Sequence, residues 1–144
     1  MEKVTGEEAV TLENSLEVGN EPELSEEELK EYKEKAEALA KQYNVSKVNP
    51  IVMIDKETLR RVVAYVKEPS YDVKVRVMDK VQQIGLISAG EELRKACTLV
   101  KESDPLTYGE SSECDKYKLC VVEECMSLIN KSINQFKKKS TSSR

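Results

Sequence analysis

Residues 65–85, YVKEPSYDVKVRVMDKVQQIG, admit two readings, and the choice between them decides the fold class. From Tyr71 to Val77 apolar and charged residues alternate one for one, the pattern of a half-buried strand. Val73, Val77, Val81 and Ile84 also recur at helical spacing. At 100° per residue they fall within about 80° of arc. Met78 and Tyr71 widen that arc, and Asp72, Arg76, Asp79 and Gln83 gather opposite. Ser70 is placed to cap the start and Gly85 to end it. A helix accounts for residues 71–84, a strand only for 71–77, and a lone strand would find no sheet partner elsewhere. The stretch is therefore expected to be helical, and the chain all-α.

Upstream, Asp55 reads as a helix cap, with Ile54 and Leu59 as the hydrophobic staple across it. A helix from Lys56 to about Glu68 would bury Leu59, Val62, Val63 and Val66, and Pro69 would stop it. Asn49-Pro50 offers an earlier start, so Ile51 to Ile54 reads either as an extended connector or as an extra turn. The first helix is marked by a capping box, Ser25 with Glu28, and by a staple of Leu24 and Leu29. Leu29, Tyr32, Ala36, Leu39 and Tyr43 form its narrow seam, and Asn44 is its left-handed stop.

Downstream, Ser88 and Glu91 read as a second capping box for a helix to about Glu102, with Leu93, Ala96, Cys97 and Val100 on its apolar face. Residues 103–112, SDPLTYGESS, are dense in turn formers. Ser112 then caps a helix from Glu113 to about Lys138, about 40 Å long at 1.5 Å per residue. Its two apolar stripes, Leu119 to Phe136 and Tyr117 to Leu128, suggest contact with more than one neighbour. The expected architecture is a small irregular bundle of about five helices.

With the helical reading in place, residues 56–85 resemble one unit of a HEAT repeat. Val62, Val63 and Val66 match its first helix and Pro69 its turn; Asp72, Val73 and Lys74 open the second, followed by Val77, Val81, Ile84 and Gly85. The following segment departs from the pattern, because its loop is long and lacks the acidic–Val–basic opening. One unit cannot build a solenoid by stacking. The resemblance implies a protein-binding scaffold, or one that grips a nucleic-acid backbone, as an analogy of fold.

The chain has 144 residues, enough for one domain with an adequate core. Its net charge of −4 is unevenly spread: residues 1–55 carry −8, residues 56–102 carry +3 and residues 103–144 carry +1. Residues 1–23 hold seven glutamates and one lysine, and read as a disordered acidic tail. Residues 24–138 form the expected helical domain, and residues 139–144 a flexible basic tail. No apolar run approaches the roughly 18 residues of a membrane span, and the N-terminus lacks the pattern of a signal peptide. A cytoplasmic protein with no membrane partner is expected. Abundant Lys and Glu without His or Trp also suits a thermophile.

The absence of His removes the commonest general base and metal ligand. Cys97, Cys114, Cys120 and Cys125 lack the close pairs of zinc sites and read as packed core thiols, with a Cys97–Cys114 disulfide as the alternative. Adjacent glutamates such as Glu91/Glu92 splay apart on a helix, and no phosphate-cradling glycine motif exists. The expectation is no catalysis, no metal and no cofactor. The chain reads as an interaction module, a small subunit or adaptor that meets a protein partner or its own copy. Its candidate contacts are Leu29, Tyr32, Leu39, Tyr43, Ile129, Ile133 and Phe136. The alternative is nucleic-acid binding through Arg60, Arg61, Lys67, Lys74 and Lys80, with Arg60 and Lys67 sharing a helix face.

Overall fold

The computed structural model describes residues 23–134. Phe136, the basic tail and nearly all of the expected acidic tail lie outside them. The order of elements is α1 (Glu26–Gln42), β1 (Val48–Ile54), β2 (Arg61–Lys67), α2 (Tyr71–Gln83), α3 (Leu86–Cys97) and α4 (Asp115–Asn134), with short 3-10 turns at Pro105–Thr107 and Ser112–Cys114. Among the described residues the fold is mixed: four α-helices and one antiparallel two-stranded sheet. The all-α bundle of five helices is thereby corrected.

The decisive stretch is helical as expected. Ser70 caps α2 by accepting from the Val73 N–H at 3.3 Å, and Gly85 closes it at φ +149°, a conformation side chains avoid. The error lies one element earlier, in the expected helix Lys56–Glu68. Its apolar half is strand β2, paired with β1 in a register that sets Val48 against Lys67 and Ile54 against Arg61. The first helix of the HEAT-like pair is therefore a strand.

Both faces of the sheet are covered, and this is why the alternation that marks a strand is absent from "RVVAYVK". Val62, Ala64 and Val66 face a core shared with α2, α3 and α4, alongside Ile51 and Met53. Tyr65 and Val63 face the other way, into a second core with Ala36 and Leu39 of α1, Val48 and Leu99. A strand buried on both sides is apolar throughout, and its spacing mimics a helix. Val62 and Val66 are almost fully enclosed, and burial of each such side chain contributes about 1.5–3 kcal/mol.

Asp55 does cap a turn, but the turn belongs to a hairpin. Its Oδ1 accepts from the Glu57 and Thr58 N–H groups at 2.8 and 3.2 Å. The same side-chain geometry serves a helix start and an Asx turn. Leu59 then takes φ +62° and the chain reverses into β2, with the Asp55 N–H donating to the Arg60 carbonyl at 2.9 Å.

The capping box at Ser25 and Glu28 forms, and Asn44 adopts the left-handed conformation at φ 55°. The second box does not: α3 starts at Leu86, with Gly85 in the capping place. It also ends early, at Cys97, because residues 98–104 are needed at the open edge of β2. There the Leu99 N–H donates to the Tyr65 carbonyl, the Asp104 N–H to the Val63 carbonyl, and the Tyr65 N–H to Ser103 Oγ, at 2.8, 2.8 and 2.9 Å. Helix α4 crosses α3 closely at Gly90, where a Cβ would stand 2.9 Å from the Val122 carbonyl oxygen. The three layers are α1, the sheet, and the group α2–α3–α4.

Candidate functional site: a lysine-rimmed apolar cleft

Where β2 ends, Pro69 offers no N–H to continue the ladder, and Ser70 starts α2 at once. This abrupt turn leaves a space between the strand ends, α2 and the last turns of α4. It is an open cleft of about 1000 Å³. Val66, Val77, Leu93 and Ile129 supply buried floor, and Met78, Leu128, Ile133 and Pro69 extend the apolar wall. Met78 and Ile133 are 39% and 38% exposed, large for apolar side chains with no other cover.

Lys47, Lys67, Lys74 and Lys131 stand around this wall, against one carboxylate, Glu68. Glu68 is taken by Lys74 at 2.7 Å. Among the described residues, Lys47, Lys67 and Lys131 have no carboxylate partner. The cleft is apolar below and positive above, and among the described residues no aromatic ring lines it.

Two residues from each expected set converge here: Lys67 and Lys74 from the basic group, Ile129 and Ile133 from the apolar group. The others lie elsewhere. Arg60 sits in the hairpin turn and pairs with Asp104 at 3.5 Å. Arg61 holds Glu28 at 3.0 Å and so ties the hairpin to the start of α1. The capping bond from the Ser25 backbone and the Arg61 guanidinium together hold the Glu28 carboxyl below its usual range. The strand separates Arg60 and Lys67 to opposite ends, so the shared helix face expected of them does not exist. Lys80 is engaged by Glu92 at 3.8 Å.

The seam of α1 is largely spent inside the chain. Leu39 is buried against the sheet, Tyr32 and Tyr43 are half-buried, and the Tyr43 hydroxyl donates to Glu102 at 3.4 Å. Leu29 alone of that group is exposed, at 40%. Sequence reasoning missed Lys47, Met78, Leu93 and Lys131. Lys47 and Lys131 lie far apart in the chain, and no local pattern joins them.

The remaining polar clusters are structural. Asp55, whose side chain is 7% exposed, accepts from the Tyr117 hydroxyl at 2.7 Å and from Lys116 Nζ at 2.9 Å, which pins the hairpin to α4. The Tyr117 bond above all, then Lys116 and the two turn amides, hold its carboxyl well below the usual range. Arg94 is gripped by Glu91 through two bonds of 2.7 Å, and donates to the Thr107 carbonyl at 3.4 Å. The four cysteines are free thiols, so Cys97 and Cys114 are not bridged. Burial pushes Cys97 up to about 11 and Cys125 up to about 12. Among the described residues, no group of three or more His, Cys, Asp or Glu could hold a metal ion, and no helix is long and apolar enough to cross a membrane.

A second, smaller hollow of about 660 Å³ lies between the α2–α3 turn and the start of α4. Ile84, Ile87 and Leu119 stand exposed there, and the surrounding charges are paired within the chain. Comparison with family models, with curated proteins and with solved structures gives no match.

Proposed function

We propose that this chain is a non-enzymatic protein-interaction module of the cytoplasm, a small subunit or adaptor, and that its lysine-rimmed cleft holds a segment of a partner protein. The observation that carries the reading is the pairing of an apolar floor with three lysines that have no carboxylate partner among the described residues. Apolar surface of this kind supplies affinity when covered, and a rim of one sign selects and orients what covers it. The clusters that would otherwise suggest chemistry are taken up within the fold: Asp55 with Tyr117 ties the hairpin to α4, and Arg94, paired with Glu91 along α3, donates to the Thr107 carbonyl. Four free thiols support a reducing compartment.

The same lysines support a second reading, nucleic-acid binding. Among the described residues the lining lacks the aromatic platforms on which bases stack, and its floor is aliphatic, so a polypeptide fits it better. A photo-crosslinking residue at Met78 in the full chain separates the two. The expected adduct is a polypeptide, and the variant Lys67→Glu/Lys131→Glu loses at least about tenfold in yield. Adducts to nucleic acid, with a yield that falls steeply as salt rises, would establish the second reading instead. No adduct at all removes the cleft as a site.

A further inference from the structure

A cleft with an aliphatic floor and three lysines unpaired among the described residues suits an occupant that is acidic and apolar in turn. The sequence contains one. Residues 7–18, EEAVTLENSLEV, carry four glutamates and no basic residue, with Ala9, Val10, Leu12, Leu16 and Val18 between them. We propose that residues 7–18 of this same chain occupy the lysine-rimmed cleft when no partner is there. The inference rests on the cleft being the partner site, and it adds a regulation: a partner has to displace the chain's own segment.

Reach supports it. The chain leaves the folded body beside Arg61, whose Nη2 donates to the Glu23 carbonyl at 3.5 Å. From Arg61 to the cleft at Lys67 the strand spans about 20 Å, at about 3.3 Å per residue. The eleven steps from Glu23 back to Leu12 extend up to about 37 Å. The middle of the segment therefore reaches the cleft with slack. Charge supports it too. Of the four lysines in the cleft lining, Lys47, Lys67 and Lys131 have no carboxylate partner among the described residues, and Glu7, Glu8, Glu13 and Glu17 are carboxylates to match them.

The other apolar hollow offers no such match. Lys80, Arg94 and Lys118 there already face Glu92, Glu91 and Asp115 within the chain.

The test uses the full chain and the rate at which each lysine is acetylated at low ionic strength. The comparison is with E7Q/E8Q/E13Q/E17Q, whose four positions lie outside the described residues. If the segment fills the cleft nine-tenths of the time, Lys47, Lys67 and Lys131 react about tenfold faster in the variant. Lys33 and Lys95, both exposed and outside the cleft lining, keep their rates. Equal rates at the cleft lysines overturn the inference. Protection that grows with protein concentration also overturns it, because the segment would then come from a second copy. If the rates are equal while the Met78 crosslink still captures a polypeptide, the inference alone fails; if both fail, so does the proposed function.

Discussion

Gly90→Ala tests the packing on which the helical layer depends, because two effects of opposite sign meet there. In an exposed helix the change stabilises by roughly 1 kcal/mol, since Ala forms helix better than Gly. Here the added Cβ would lie 2.8 Å from Met126 Cγ, 2.9 Å from the Val122 carbonyl oxygen and 3.2 Å from Val122 Cγ1. Ordinary carbon contacts are about 3.5–4.0 Å, so α3 and α4 must part by about 0.5 Å or more. Met126 is half-buried and has room to turn aside, but the carbonyl belongs to the backbone of α4 and does not. Overpacking of this kind costs about 1–3 kcal/mol, and the backbone contact places it in the upper half. The net expectation is a loss of about 1–2 kcal/mol, read as a fall of several degrees in Tm and a lower urea midpoint at unchanged m value. The double variant Gly90→Ala/Met126→Ala should be less unstable than the two single changes add up to, because one of the two clashes is gone. A rise in Tm for Gly90→Ala would refute the close approach of α3 and α4.

Three further outcomes follow from other contacts. Ser103→Ala removes the acceptor of the buried Tyr65 N–H and should cost about 1–3 kcal/mol in urea unfolding, whereas a neutral result would mean that β2 does not need this edge partner. Asp55, whose pKa is depressed on folding, contributes stability that is fully present above its unfolded value and is lost as pH falls through the folded one. Urea midpoints of the wild type should therefore decline below about pH 4, and Asp55→Asn should be less stable at neutral pH with a flatter acid limb. Cys97 and Cys125, buried and with thiols raised to about 11 and about 12, should resist a thiol reagent at pH 8 until urea unfolds the chain; rapid native labelling of either would contradict the core.

Local signals in the sequence were legible wherever one residue does one job. Ser25 with Glu28, Ser70, Asn44 and Gly85 mark helix ends through bonds or backbone angles that need only near neighbours. Helix α2 was read correctly for that reason: its alternation covers seven residues, but its caps and its arc agree over the whole stretch. The Ser88–Glu91 pair shows the limit of such signals. Its motif is present, yet the helix is capped three residues earlier, where Gly85 allows the turn.

The candidate cleft was half legible. Lys67, Lys74, Ile129 and Ile133 all stand out in the sequence, but for two different functions and in two different places. Arg60 and Arg61 were assigned with Lys67 because a helix would align them, and a strand does not. Lys47 and Lys131 enter only through folding, since the two are brought to one rim by the hairpin and by the end of α4.

What the sequence by itself determined is therefore the set of helices whose ends are capped by their own neighbours, the apolar character of residues 61–67, and the separation of acidic and basic charge along the chain. What only the tertiary structure decided is that residues 61–67 are a strand and where the unpaired lysines meet. The physical reason is the same in both cases. A strand covered by α1 on one face and by α2–α4 on the other has no polar side, so its period disappears from the sequence. A cleft is a property of the space between elements, and no residue carries its outline alone.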